Sequence, residues 1–160
     1  MAWRYGRLSS INSYIHKQAL MAALINIVVN PLLAFLLNHN VDSVALSVIV
    51  IDTIITSILM TWLVTIFSVA DVNRQLRAGH FKDEDLPHPG WILSLFPKQG
   101  ALLGMVLFVC TALFMVAFTV SMFSLFGITE LSVDKLALFK AVYTGTVAYV
   151  TARLAIIRQL

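Results

Sequence analysis

The stretch VIVIDTIITSILMTW, residues 48–62, is apolar enough to lie inside a bilayer, yet it contains a carboxylate at Asp52. It belongs to a longer window, 44–70, in which Asp52 is the only charged residue. Because about 20 apolar residues cross the hydrocarbon core as a helix, this window predicts a transmembrane helix. A charge at that depth is costly and seldom kept without a role, so Asp52 is the first candidate functional residue.

Three further apolar windows flank this one, at 19–37, 100–127 and 136–152, and Lys140 is their only charged residue. The whole chain of 160 residues is 59% hydrophobic and 12% charged, and its mean hydropathy is +0.88. Soluble domains carry about twice that share of charge, and their helices have polar faces at helical period. The sequence therefore predicts an all-α integral membrane protein with four transmembrane helices.

The basic residues indicate the orientation of the four predicted spans. Nine of the eleven Lys and Arg residues precede span one, lie between spans two and three, or follow span four. The remaining two, Lys135 and Lys140, lie near the outer end of span four. By the positive-inside rule both termini and the central connection are cytoplasmic, which accounts for the pI of 9.2 without a nucleic-acid partner. In architecture alone the chain resembles small four-span proteins of the bacterial inner membrane.

The two halves of the sequence share landmarks in the same order. KQALMAAL at 17–24 resembles KQGALLGM at 98–105, DTIITS at 52–57 resembles KAVYTG at 140–145, and RQL ends both halves at 74–76 and 158–160. The prediction is a tandem repeat of two helical hairpins, residues 1-76 and 98-160, joined by a cytoplasmic loop at 77-97. Since each unit contains two spans, the copies have the same orientation and form a parallel repeat. The short outer connections favour antiparallel packing within each hairpin.

This alignment places Asp52 and Lys140 at equivalent positions with opposite charge. The leading hypothesis is an ion pair between the two repeats, because pairing offsets the cost of a buried charge. Two alternatives stay open. Lys140 extends to the outer interface and leaves Asp52 protonated or hydrogen-bonded, or Asp52 lines a water-filled path as a proton or cation site.

Polar residues in three of the spans define a candidate polar site. Asn26 and Asn30 lie on one face of span one, just before Pro31, and hydroxyl residues enrich spans two and four around Thr56 and Thr144. These groups form either ordinary interhelical hydrogen bonds or a polar path between spans one, two and four. Span three is expected to face lipid.

Small residues four apart follow both KQ pairs and allow close helix contact. They are expected to pack within the bundle or, alternatively, to form a homodimer interface: Ala19, Ala23, Gly100 and Gly104.

Outside the spans, residues 1–18 suit a segment at the headgroup level, and 91–96 suits a surface-lying segment. The connection at 71–99 contains an acidic cluster and is the expected docking surface for a cytoplasmic partner. A weak metal site, or the site of an enzyme acting on lipid, would there use His80, Asp83, Glu84, Asp85 and His88. Cys110 has no partner cysteine and is expected to be a packing residue. No catalytic residue, metal ligand or cofactor is predicted.

The leading functional hypothesis is a transporter- or channel-like permease, as a homodimer, with its polar site between spans one, two and four. The alternative is a non-catalytic assembly, accessory or regulatory subunit. An enzyme acting on lipid ranks last.

Overall fold

The fold is helical, with two short strands between the long helices. The computed structural model describes residues 2–81 and 90–160, with side chains from Ile11 onward. The elements in chain order are α1 (Ala2–Asn38), β1 (Ser43–Ala45), α2 (Leu46–Arg77), α3 (Trp91–Ser94), α4 (Gly100–Leu125), β2 (Glu130–Ser132) and α5 (Val133–Gln159).

Three helices of the described chain are long and apolar enough to cross a membrane: Ile11–Asn38 within α1, the whole of α2, and the whole of α4. These are the first three spans predicted from the sequence. The fourth, α5, is 27 residues long, but Lys140, Arg153 and its hydroxyl residues make it less apolar. Its buried side chains extend from Leu136 to Arg158, so neighbouring helices rather than lipid surround much of it. A fourth membrane crossing by α5 stays a prediction.

Two boundaries differ from the sequence-based expectation. Residues 2–18 form the start of α1 and are continuous with the first span, and the helix continues through Pro31 to Asn38. Their place at the headgroup level stays a prediction. Helix α2 extends to Arg77, because its polar last turns continue the helix beyond the apolar window. The central connection therefore begins at Ala78, not at residue 71.

A small antiparallel ladder joins the two outer connections. Ser43 pairs with Ser132, Val44 with Leu131, and Ala45 with Glu130. The Ser43 hydroxyl donates to Glu130 Oε2 at 2.7 Å. Helices α2 and α5 begin directly after the paired strands, at opposite ends of the antiparallel ladder. They run in the same direction, because Asp52 meets Lys140 near their beginnings and Val72 and Ile156 share one cluster near their ends.

The helices do not pack as two compact hairpins, so that expectation is wrong. Helix α5 packs against α1 and α2, and α2 packs against α4, whereas α1 scarcely touches α2 and α4 scarcely touches α5. The ladder draws α2 and α5 together in the centre. Each half's first helix then packs on the second helix of the other half, which leaves α1 and α4 on the outside.

The apolar core is divided between the two ends of the bundle. At the strand end it contains Val44, Ile49, Phe123, Leu131 and Leu136. At the other end two clusters form around Ile11, Ile15, Val72 and Ile156, and around Val69, Leu103, Leu107 and Ala155. Between these ends the contact of α2 with α5 is made by small and polar side chains.

Small residues allow the helices to approach closely within one chain. Ala19 and Ala23 are buried on α1. On α4, a Cβ added at Gly100 would lie 3.0 Å from Val69, and one added at Gly104 would lie 2.7 Å from Trp62 Cδ1. Packing within the chain thus accounts for these four residues, and a homodimer interface through them stays a prediction.

Gly145 of α5 tests this packing, because a Cβ there would overlap the Ile27 side chain of α1. Gly145→Ala is expected to lower the thermal unfolding temperature in detergent, since overpacking costs about 1–3 kcal/mol. The intrinsic preference of a helix for Ala over Gly, about 0.5–1 kcal/mol, acts in the opposite direction and is smaller. Gly90→Ala is the control, because nothing lies within 4 Å of the added Cβ. A more stable Gly145→Ala protein would contradict the close contact of α1 with α5.

Candidate functional site

The buried face of α2 carries a hydroxyl residue on every turn of its middle section: Thr53, Ser57, Thr61 and Thr65. The buried residues of α5 include, at the same spacing, Leu136, Lys140, Thr144, Ala148 and Ala152. This spacing of four residues places each set on one side of its helix. Beyond the apolar cluster at the strand end, the buried faces of α2 and α5 therefore carry mainly small and polar side chains.

An ion pair joins the two central helices near their first turns. Lys140 Nζ lies 2.7 Å from Asp52 Oδ1 and 2.6 Å from Asp52 Oδ2, and 3.4 Å from the Thr56 hydroxyl oxygen. Asp52 is the seventh residue of α2 and Lys140 is the eighth of α5, and both helices directly follow a ladder strand, so the β1–β2 pairing sets their depth. The structure brings together three of the predicted site residues at this point. Below, "the ion-pair site" means Asp52, Thr56 and Lys140.

The two charges differ in their access to the surroundings. The Lys140 side chain is 4% exposed and the Asp52 side chain is 31% exposed. The ammonium thus depends on its protein partners for solvation, whereas one side of the carboxylate is open.

Thr144 connects this region to α1. Its hydroxyl lies 2.7 Å from the carbonyl oxygen of Lys140 and 3.1 Å from that of Asn26. The amides of the two predicted asparagines stay on their own helix. Asn26 Nδ2 donates to the Ala22 carbonyl at 2.8 Å, and Asn30 Nδ2 donates to Asn26 Oδ1 at 2.9 Å. Thr144 therefore links α5 to α1, and the amides of Asn26 and Asn30 bond within α1 rather than to the ion pair.

Several buried hydroxyls in the same interface lack a hydrogen-bond partner among the described residues: Ser57, Thr61 and Tyr143. Their neighbours on α2 behave differently. Thr53 donates to the Ile49 carbonyl and Thr65 donates to the Thr61 carbonyl, each at 2.7 Å. Two successive turns between Thr53 and Thr65 thus carry hydroxyls without the usual bond to the preceding turn.

Two grooves open on the sides of the bundle, where consecutive helices scarcely touch. The groove between α1 and α2 has a volume of 450 Å³ and contains polar side chains at Gln18, Asn26, Ser68 and Asp71. The groove between α4 and α5 has a volume of 580 Å³ and is almost entirely apolar. Cys110 lies exposed in this second groove, so the expectation that it is a packing residue is wrong.

Polar contacts fix the end of the bundle opposite the strands. The Tyr14 hydroxyl donates to Asp71 Oδ2 at 2.6 Å and links α1 to α2. Arg158 is buried, and its Nε donates to the Phe96 carbonyl at 2.7 Å, while a second guanidinium nitrogen lies 3.3 Å from the Ser94 carbonyl. These bonds hold the short helix α3 against the end of α5. Sequence reasoning missed them, because the partners are 57 or more residues apart and two of the acceptors are main-chain atoms.

The acidic cluster of the central connection lies outside the described residues, so its docking and metal-binding roles stay predictions: Asp83, Glu84, Asp85 and His88. His80 is described and exposed. Within residues 2–81 and 90–160, no group of three or more His, Cys, Asp and Glu side chains is placed to hold a metal ion.

The three apolar helices are compatible with a helical membrane protein, and the candidate site is an ion pair between α2 and α5 with adjoining buried hydroxyls. Comparison of the chain with protein-family models, with curated proteins and with solved structures gives no match.

Proposed function

We propose that the chain is a small multi-pass permease whose ion-pair site binds the transported or coupling cation at Asp52. The observation that carries the proposal is the asymmetry of the pair. A buried ammonium faces a carboxylate that is open on one side. Ionisable groups at membrane depth are costly, and they commonly mark ion or proton pathways. Unpartnered hydroxyls beside the pair supply further polar groups along the same interface.

In this proposal Asp52 exchanges one cation for another. In the resting state the Lys140 ammonium forms an ion pair with the Asp52 carboxylate. A proton or a small cation that binds Asp52 weakens the pair and leaves the ammonium without its main partner. Because an unpaired buried charge is unfavourable, the contact of α2 with α5 then rearranges. Binding at Asp52 and helix movement are thereby coupled, as alternating access requires.

We also propose a parallel repeat with four spans. The ladder supports it, because a local two-fold axis passes between the paired residues Val44 and Leu131. Rotation about this axis superposes Ser43 on Glu130 and the first residue of α2, Leu46, on the first residue of α5, Val133. The connections at 39–42 and 126–129 have equal length, and the packing of α1 on α5 matches that of α4 on α2. On this alignment Lys140 is equivalent to Thr53 rather than to Asp52.

The proposed location is the bacterial cytoplasmic membrane, with both termini and the central connection in the cytoplasm. Parallel α2 and α5 both carry arginines at their far ends, Arg74 and Arg77 on α2 and Arg158 on α5. That arrangement agrees with the positive-inside rule. We propose that the protein is not an enzyme. We also propose that it forms a homodimer, in which the second copy completes the translocation path.

Flux in liposomes tests the permease. The purified protein is reconstituted, and proton, sodium and potassium gradients are applied in turn. The stable comparison is the double variant Asp52→Asn/Lys140→Met, in which no unpaired charge stays buried. It is expected to retain its fold and to lose flux. Asp134→Asn/Lys135→Met makes the same chemical changes at exposed positions of α5 and should retain flux. Equal flux in all three proteins, or none in any, would contradict the permease.

The second candidate is an accessory or regulatory subunit. The short distances between the Lys140 ammonium and both Asp52 carboxylate oxygens favour it. Both carboxylate oxygens of Asp52 lie within 2.7 Å of the ammonium, so the pair is fit to fix helix register. The docking surface would be the central connection. Replacement of residues 78–90 by a neutral linker spares Asp71 and α2. If the protein is an accessory subunit, this replacement is expected to abolish co-purification of a stoichiometric partner. If the protein is a permease, the replacement is expected to leave flux unchanged.

A further inference from the structure

The groove between α4 and α5 is long as well as large. It extends from Leu107 to Met122 along α4 and from Phe139 to Leu154 along α5. At the rise of an α-helix, each of these stretches is about 22 Å long. One leaflet of a bilayer contributes about 15 Å of hydrocarbon, so the groove is longer than a leaflet is thick. This shape suits an extended chain better than a compact ligand.

The lining of the groove matches hydrocarbon. Among the described residues that line it, none is charged. One wall carries the stacked rings of Phe114 and Phe118, whose centroids lie 6.3 Å apart. The other wall carries Val142 and Val150, which are 64% and 48% exposed. A contiguous exposed apolar surface of this kind marks a contact with lipid or with another apolar partner.

The groove ends against a fixed segment at the end of the bundle opposite the strands. Phe96 lines the groove there, and its carbonyl accepts a hydrogen bond of 2.7 Å from Nε of the buried Arg158. The next turn of α5 adds a second bond, in which Gln159 Nε2 donates to the Lys98 carbonyl at 2.8 Å. Residues 96–98 are therefore held against the end of α5.

Two exposed basic side chains lie at this end of the groove, on Lys98 of the fixed segment and on Arg153 of α5. Arg153 follows the lining residues Thr146 and Val150 by seven and three positions, so it lies on the same face of α5, about one turn further on. The strand end of the bundle carries more acidic than basic residues: Glu130, Asp134 and Lys135. An anionic group at the mouth of the groove is therefore favoured at the Lys98 end.

We propose that the α4–α5 groove binds an anionic phospholipid, with one acyl chain along the groove and the phosphate beside Lys98 and Arg153. Basic pockets between membrane helices recognise lipid headgroups in this way. A second copy of the chain suits the groove less well. In a two-fold dimer about the membrane normal, Lys98 and Arg153 of one copy would face the same basic residues of the other copy. The lipid site does not depend on the permease function.

Cys110 is a built-in reporter for this site, because it is exposed in the groove wall and is the one cysteine of the sequence. The purified protein in detergent is alkylated with an uncharged maleimide, in the presence of dioleoyl phosphatidylglycerol or dioleoyl phosphatidylcholine. Phosphatidylglycerol is expected to slow the alkylation several-fold, at a concentration at which phosphatidylcholine, with the same acyl chains, has little effect. Equal slowing by both lipids, or slowing by neither, would overturn the proposal.

Two double variants separate the site from a general attraction between anionic lipid and a basic protein. Lys98→Gln/Arg153→Gln is expected to abolish the difference between the two lipids. Lys17→Gln/Arg77→Gln removes the same charge from exposed positions of α1 and α2, beside the other groove, and should retain the difference. Loss of the difference in both variants would overturn the site. Protection of Cys110 that rises with protein concentration and not with lipid would identify a second copy as the occupant, and would also overturn it.

Discussion

Asp52→Asn is expected to destabilise the protein more than Lys140→Met does. The asparagine leaves the Lys140 ammonium buried at 4% exposure without a negative partner. Removal of one partner of a buried ion pair costs about 3–5 kcal/mol. Lys140→Met leaves Asp52, which is 31% exposed and can take up a proton or bind water, so its cost is expected to be smaller. Thermal unfolding in one detergent at pH 7 measures both.

Asp134→Asn and Lys135→Met are the matched controls, because both residues are exposed in the first turn of α5. Each should change the unfolding temperature little, since exposed charges contribute little to stability. If Lys140→Met proves the more damaging of the two site variants, the assigned burial of the pair is wrong.

Phe123→Ala is expected to cost about 3–5 kcal/mol, the range for a large aromatic side chain removed from a core. Phe123 is 2% exposed in the cluster that holds α4 against the ladder, and its ring centroid lies 5.3 Å from that of Phe139. Phe139 in turn lies 5.2 Å from Tyr143, so the cavity would also loosen the wall beside the ion-pair site. Thermal unfolding gives the stability loss.

Phe126→Ala is the control for that substitution. Phe126 lies three residues after Phe123, directly after the end of α4, and is 69% exposed. Its loss should cost less than 1 kcal/mol, which is typical of surface positions. Equal effects of the two variants would contradict the placement of the core at the strand end.

Hydropathy predicted α1, α2 and α4 because a membrane helix must satisfy its own backbone within one segment, so the signal is local. The same local logic identified Asp52 and Lys140, since each is the only charge in its window. The ladder was not predictable in this way. Its strands are three residues long, and their pairing joins residues 43 and 132, for which the sequence offers no alternating pattern.

The packing order of the helices also could not be predicted from the sequence. Loop length alone favoured hairpins, but the ladder places α2 beside α5 instead. That rearrangement is also why the polar site is smaller than expected. Thr56 faces Lys140 across the central interface and Thr144 bonds to α1, whereas Asn26 and Asn30 satisfy their amides on α1. The spacing of Asn26 and Asn30 predicted that they share one face of α1, but it could not predict which residues that face contacts.

The most direct test of the account is a double-mutant cycle on the ion pair, read as the free energy of unfolding in detergent. The variants are Asp52→Asn, Lys140→Met and the two combined. The account predicts that the double variant is more stable than Asp52→Asn alone, because methionine removes the stranded ammonium. The interaction energy should lie in the upper part of the range for contacting residues, about 0.5–3 kcal/mol. Strictly additive effects would show that Asp52 and Lys140 act independently, and would contradict the ion pair as the centre of the protein.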